Sequence, residues 1–465
     1  MDWLVCKRPA TFGEPGAFFI AIFFLRRVTF FEGGPYKTSW IGWFVSVRRP
    51  SGNRALFLWP QQVRTFAGRM LFQSYALFAG VLLSAAVYAA LREWAPRAVR
   101  GREALLLVVN ALLLLTLVKE HTLIVLAVLG LGVYGAGAAL HRKGSRGALA
   151  AALTLLVGLF AARNYPYLHE ALGPLKGPVL SVQKLGLSYI LFRWIHYLVE
   201  SHRGTIRARN PLTFLNYTFF FPTILAGPID RYANFHYGVA HRPRPAERWG
   251  LLAGVWRVGL GAVKTLVLVP VVRPWAVDWQ VVPVEHPVAA MALGLVSYSA
   301  FILLDFSGYS DIAIGTARWM GIRTPENFDR PYGSRNLAEF WRRWHMTFSN
   351  FLRAYVFKPV VAGLNRWPAL ARRRMAVTAV AYVFTFIVCG LWHGDRLHFV
   401  VWGAWHGVGL VLNKLWRDRW RPAAWRGPWY DVASVAATWG FVTIGWGWFH
   451  YPLSAWAEWV QSWWG

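Results

Sequence analysis

At 465 residues, with 56% hydrophobic and only 15% charged, the chain is too apolar for a soluble multi-domain protein. Its 50 Lys and Arg stand against 21 Asp and Glu, a formal net charge of +29. That balance suits nucleic-acid binding, an anionic surface, or the cytoplasmic loops of a polytopic membrane protein. The basic residues sit in short clusters between long apolar runs, not on one polar face. The expected partner is therefore the lipid bilayer and not nucleic acid.

Residues 1–69 differ from the rest of the chain. They hold Pro9, Pro15, Pro35, Pro50 and Pro60, and ten Lys or Arg against three acids. Their best apolar run, Ala17–Leu25, is too short to span, and no small-residue cleavage site precedes Arg26 and Arg27. The stretch is expected to be dispensable, as sequence upstream of a start at Met70. The competing reading is a lineage-specific appendage that docks a partner. The membrane domain is expected over 70–465.

Long apolar runs then succeed one another: Leu71–Leu91, Ala104–Val118, His121–Leu140, Ala148–Ala162, Val179–Val199, Leu251–Val272, Ala289–Leu304, Met375–Trp392, Phe399–Leu415 and Val432–Phe449. Most approach the roughly 20 residues that about 30 Å of hydrocarbon requires. An all-α, polytopic protein with about ten transmembrane helices is expected, because a helix satisfies its own backbone in lipid. Basic clusters come after alternate runs (Arg92–Arg102, Arg142–Arg146, Arg203–Arg209, Arg417–Arg421), whereas 119–121 and 273–288 are poor in Lys and Arg. Alternation of this kind places the basic loops in the cytoplasm. The two cysteines are Cys6 and Cys389. With one inside an apolar run, neither a disulfide nor a cysteine metal site is expected.

Polar groups are costly at membrane depth, so three polar segments draw attention. In Phe219–Tyr232, Pro222, Gly227 and Pro228 interrupt any helix and predict a re-entrant turn, with Asp230 and Arg231 placed to pair. The second segment opens with Asp305-Phe-Ser-Gly-Tyr-Ser-Asp311, directly after a spanning run. It passes through the broken Pro325–Tyr332 and enters Ser334–His345, where Glu339, Arg342 and Arg343 have helical ion-pair spacing. Trp341, Trp344 and His345 would cover the opposite side, a pattern that also describes an interfacial anchor helix. The third segment is Cys389-Gly-Leu-Trp-His393-Gly, with Trp402-Gly-Ala-Trp-His406-Gly after it. An imidazole at membrane depth can accept and return a proton near neutral pH, or simply be satisfied in helix packing.

Taken together, Phe220–Tyr232, Asp305–Ser310, Thr324–Pro331, Ser334–Ser349 and Leu391–Gly394 resemble the membrane-bound O-acyltransferase family. The likeness is to its bacterial branch of alginate O-acetylation and teichoic-acid D-alanylation proteins, in consistent order over residues 70 to 450. The resemblance implies re-entrant and interfacial helices around a central tunnel in a bacterial inner membrane. It makes His393 the essential histidine, acting as general base on an acceptor hydroxyl, with His345 as the second landmark on the donor side. Asp305, Ser307, Tyr309, Asn336, Trp341, Trp344, Trp392, Asp230 and Arg231 become candidates to line the substrate path. The implied donor is an acyl thioester, acetyl-CoA or an acyl carrier protein, on the cytoplasmic side. The implied acceptor is an envelope glycan or an extracytoplasmic partner that relays the group. No bound cofactor or metal is implied. Pro222–Tyr232 and Trp344–Ser349 resemble the D-alanylation proteins, while Asp305–Gly315 resembles the alginate ones, so acetyl and D-alanyl transfer both stay open. A transporter would also explain spans and buried polar groups, but not the ordered histidine motifs.

Overall fold

The computed structural model describes residues 75–94, 99–171, 186–207, 209–240, 248–277, 287–420, 422 and 427–461. The expectations for residues 1–69 lie outside the described residues. Regular structure among the described residues is helical. Helices α1 (Tyr75–Trp94), α2 (Val99–Leu115), α3 (Glu120–Lys143), α4 (Arg146–Asn164) and α5 (Pro166–Ala171) come first. Then come α6 (Leu187–His202), α7 (Pro211–Phe219) and α8 (Tyr232–Ala240). Next, α9 (Arg248–Ala262) runs through the π-helical turn Val263–Leu268 into α10 (Val269–Val277), and α11 covers Pro287–Trp319. Four short helices come after it: α12 (Leu337–Arg343), α13 (Met346–Leu352), α14 (Lys358–Leu364) and α15 (Pro368–Ala371). Last are α16 (Arg374–His393), α17 (Leu397–Leu415), α18 (Pro428–His450) and α19 (Leu453–Gln461).

Six helices among the described residues are long and apolar enough to cross a bilayer: Glu120–Arg142, Arg146–Asn164, Leu252–Ala276, Val288–Trp319, Arg374–His393 and Pro428–His450. The run at Ala79–Leu91 is helical but shorter. Large apolar side chains such as Leu83, Val128, Leu155 and Trp256 are exposed on these helices, as lipid-facing residues are. This is a multi-pass membrane protein.

Small residues let the helices approach closely, the usual means of helix association in lipid. Along the antiparallel α9–α11 pair, a Cβ on Gly254 would meet the Gly315 carbonyl oxygen at 3.0 Å, and one on Gly261 would meet the Gly308 oxygen at 2.6 Å. In the α16–α17 hairpin, Gly390 lies against the Phe399 carbonyl and Gly403 against that of Phe386.

Contacts between helix ends fix relative orientation. The Tyr165 hydroxyl, just past α4, donates to the Leu391 carbonyl at the end of α16. His398 Nδ1 meets the Trp448 carbonyl at 3.1 Å, and Tyr298 stacks on His450 at 4.3 Å. One end of the bundle therefore gathers Tyr165, His393, His398 and His450. The basic starts of α4 and α16 and the basic end of α17 gather at the other.

Helix α11 corrects one expectation. Its 33 residues are about 50 Å long at 1.5 Å each, well beyond the hydrocarbon thickness. Asp305–Asp311, expected to lie beyond a span, is part of it. The helix can continue because its charge is met from the neighbouring helix. Asp311 receives Arg257 Nε at 2.5 Å and Lys264 Nζ at 2.7 Å, and Arg257 also pairs with Glu326.

Candidate active site

Two non-helical segments meet inside the bundle. The first, residues 220–231, is the break in helix that its prolines foretold. Phe220, Phe221, Ile224, Ile229 and Asp230 are buried. The end of α7 that leads into it, and its Thr223 hydroxyl, are served from α6 by Arg193, only 2% exposed. This guanidinium donates to the Tyr217 and Thr218 carbonyls, both at 2.8 Å, and to Thr223 Oγ1 at 2.6 Å. Asp230 does not pair with the Arg231 guanidinium as expected. Its carboxylate accepts the Arg231 backbone N–H at 2.7 Å and the Asn234 amide at 2.8 and 2.9 Å, while Arg231 is exposed. A turn takes this arrangement because a carboxylate that accepts the next backbone N–H and a nearby side-chain amide is satisfied without the adjacent guanidinium.

The second segment lies around His345. The expected helix over 334–345 is broken: α12 ends at Arg343 and α13 starts at Met346. His345 stands between them at φ 41, ψ 55, a left-handed conformation uncommon for a residue with a Cβ. The break is held by residues 327–329, where Met346 N–H donates to the Asn327 carbonyl at 2.9 Å and Asp329 N–H to that of Arg343 at 3.0 Å. Its neighbour Thr347 ties the two segments together, since Ile229 N–H donates to Thr347 Oγ1 at 3.0 Å. The Glu339–Arg343 ion pair forms as expected, at 2.7 Å.

The two histidines stand at the ends of a row of rings. Phe348 stacks on His345 at 5.0 Å, Trp392 lies 4.5 Å from Phe348, and His393 lies 4.4 Å from Trp392. Phe306 meets His345 edge-on at 4.6 Å. His393 is the last residue of α16 and half-buried, set among Trp402 at 5.2 Å and Phe449 at 4.8 Å, both edge-on. His406, within α17, is fully buried, and neither ring nitrogen has a hydrogen-bond partner. Trp341 and Trp402 meet its ring, each at 5.1 Å.

The indole N–H groups of Trp341, Trp392 and Trp402 are likewise buried without acceptors. Buried donors without protein acceptors beside imidazoles suit a polar group that arrives with substrate. Trp344 instead packs deeper, stacked on Phe340 at 5.6 Å and 4.9 Å from Trp446. Asn336 serves as the N-cap of α12, accepting Glu339 N–H at 2.9 Å. Ser307 accepts from Lys264 at 3.2 Å, and the Tyr309 hydroxyl donates to the Pro222 carbonyl at 3.2 Å, fastening α11 to the turn. Asp305 is half-buried on α11. Among the described residues no cluster of three or more His, Cys, Asp or Glu is arranged to hold a metal.

Sequence reading missed Arg193, Arg257, Lys264, Asn327 and Thr347. The first three had a visible signal, being cations inside apolar runs. Asn327 and Thr347 had none, because their partners are distant in the chain.

The sequence model of the membrane-bound O-acyltransferase family matches residues 179–449, which hold both non-helical segments and both histidines. The chain belongs to the membrane-bound O-acyltransferase family. Among similar proteins, the teichoic acid D-alanyltransferase of Bacillus subtilis is 28% identical over 302 residues, 63% of this chain and 75% of its own length. That of Streptococcus thermophilus is 33% identical over 50% of this chain and 57% of its own. The probable alginate O-acetylase AlgI of Pseudomonas syringae pv. tomato is 33% identical over 56% of this chain and 48% of its own. The chain thus spans from about half to three quarters of these relatives. As a member of the family it is a membrane-embedded O-acyltransferase, and the ring-walled histidines lie within the matched region.

Proposed function

We propose that this O-acyltransferase moves an acyl group, acetyl in the first instance, from a thioester donor on the cytoplasmic side to a hydroxyl beyond the bilayer. The acceptor is an envelope polysaccharide or a partner that relays the group to one. His393 is the general base. It takes the acceptor hydroxyl proton as oxygen attacks the thioester carbonyl. The C–S bond then breaks, and the proton returns to the leaving thiolate. Trp392 and Trp402, with buried indole N–H groups on either side of His393, are suited to the charge that develops on the carbonyl oxygen. His345 and Trp341 belong to the donor side. The row of rings linking His345 to His393 carries this reading. It excludes water, which would otherwise hydrolyse the thioester, along the line between the two imidazoles.

D-alanyl transfer from a carrier protein is the second reading, supported by the D-alanyltransferase relatives. Purified protein in lipid, given an envelope glycan as hydroxyl acceptor and offered acetyl-CoA or a D-alanyl-charged carrier protein, separates them by which thiol is released. His393→Ala is expected to abolish release while remaining folded and inserted. Near-normal turnover in that variant would sink the mechanism, and release from neither donor would favour a transporter.

A further inference from the structure

We propose that Asn327 fixes the ring tautomer of His345, placing the proton on Nδ1 and presenting a bare Nε2 to accept an N–H or O–H of the substrate. The proposal rests on the reading of His345 as a donor-side residue. It makes Asn327 a positioning residue, acting through the imidazole.

A chain of hydrogen bonds that starts in the turn at 220–231 decides the tautomer. Ile229 N–H donates to Thr347 Oγ1 at 3.0 Å, so the hydroxyl has its own hydrogen to give. That hydrogen goes to Asn327 Oδ1 at 2.9 Å. On the other arm of the amide, Nδ2 donates to Ser310 Oγ at 3.2 Å. Either hydroxyl could serve the amide both ways round, and the Thr347 backbone N–H decides between them: it can only donate and reaches Asn327 Oδ1 at 3.4 Å, so Oδ1, which can only accept, faces His345. The 2.9 Å contact between that oxygen and His345 Nδ1 requires the nitrogen to be the donor. A neutral imidazole carries one N–H, so Nε2 is left with a lone pair. This Nε2 is buried and has no partner.

The same asparagine holds the backbone that aims the ring. Its carbonyl accepts Met346 N–H at 2.9 Å, clamping His345 in the left-handed conformation that breaks the helix. Phe306 edge-on and Phe348 stacked then leave the ring plane little freedom. A strained residue, a clamped ring and an unpaired buried acceptor coincide at one position. Such strain is found where a site needs one geometry.

The test is nitrogen-15 solid-state spectroscopy on full-length protein labelled at histidine, in lipid, with His345 assigned by its loss in His345→Gln. A protonated Nδ1 and an unprotonated Nε2 are expected. The opposite tautomer would overturn the proposal whatever reaction the protein performs, and the unaltered protein alone decides that. Asn327→Leu keeps the shape but removes the acceptor. It should mix the tautomers and lower kcat/KM for thiol release from acetyl-CoA at least ten-fold. Asn327→Asp, which keeps acceptor oxygens facing Nδ1, should restore the Nδ1–H signal and most of the rate. If Asn327→Leu leaves tautomer and rate unchanged, Asn327 only braces the chain break and the proposal fails. Full activity in His345→Gln, with the Nδ1–H signal present in the parent, would instead sink the donor-side reading and leave the tautomer standing.

Discussion

Asp311 answers two cations at once, Arg257 and Lys264, with its side chain only 7% exposed. Removing the carboxylate of a buried ion pair costs about 3–5 kcal/mol when the cation left behind is neither paired nor hydrated, but here Arg257 would keep Glu326. Arg257 and Lys264 keep 23% and 22% exposure, so Asp311→Asn is expected near the bottom of that range. Glu326→Gln removes a carboxylate that is 40% exposed and is expected to cost below about 1 kcal/mol. Unfolding midpoints in detergent compare the two, and a larger loss for Glu326→Gln would contradict the burial argument. At this scale the two histidines were legible because the residues beside them form short contiguous motifs. The acid that neutralises Lys264 was not assigned from sequence, since 47 residues separate the pair. Only the cost of a lone cation in an apolar run pointed to a partner.

Among the elements, the helix pairs make a sharper comparison. Gly259 and Gly261 share helix α9, yet a Cβ on Gly259 meets nothing within 4 Å, whereas one on Gly261 meets the backbone of α11. Gly261→Ala is expected to force the helices apart at about 1–3 kcal/mol. Gly259→Ala should be neutral or slightly stabilising, as alanine is the better helix former by about 1 kcal/mol. Thermal melts of the two single variants check this, and equal losses would refute the close packing. Hydropathy made the spans readable, but it ended one at Leu304 where α11 runs on to Trp319. Ion-pair spacing likewise drew one helix over Ser334–His345. In both places local composition was overruled by a partner elsewhere in the chain: cations on the neighbouring helix in the first case, the segment at Asn327 in the second. The turn at 220–231 was readable because Pro222, Gly227 and Pro228 fall close together, and prolines there remove backbone donors that a continuous helix would need.

For the whole molecule, the Tyr165–Leu391 contact groups the end of α4 with that of α16, so the basic starts of these two helices point the other way. Loop charge predicts that the His393 end faces away from the cytoplasm. Asp395→Cys, in the exposed loop after His393, should react with an impermeant thiol reagent in intact cells. Ser145→Cys, before the basic start of α4, should react only after the membrane is opened. The reverse pattern would invert donor and acceptor sides together.

The bond from Ile229 to Thr347 also has a consequence for how the protein is made. Its two ends are separated by 118 residues, which at about 5–20 residues per second means roughly 6–24 s of synthesis. During that interval the turn is already in or near the bilayer while the hydroxyl that will serve its N–H does not yet exist. Lipid offers no substitute, so the nascent turn must wait in a hydrated cleft of the insertion machinery or of the unfinished bundle. Chains halted between Ile229 and Thr347 are expected to show this stretch accessible to water-soluble thiol reagents, and chains extended past Leu352 to protect it. Closure of the candidate site is then a late event in biogenesis, timed by the arrival of one threonine.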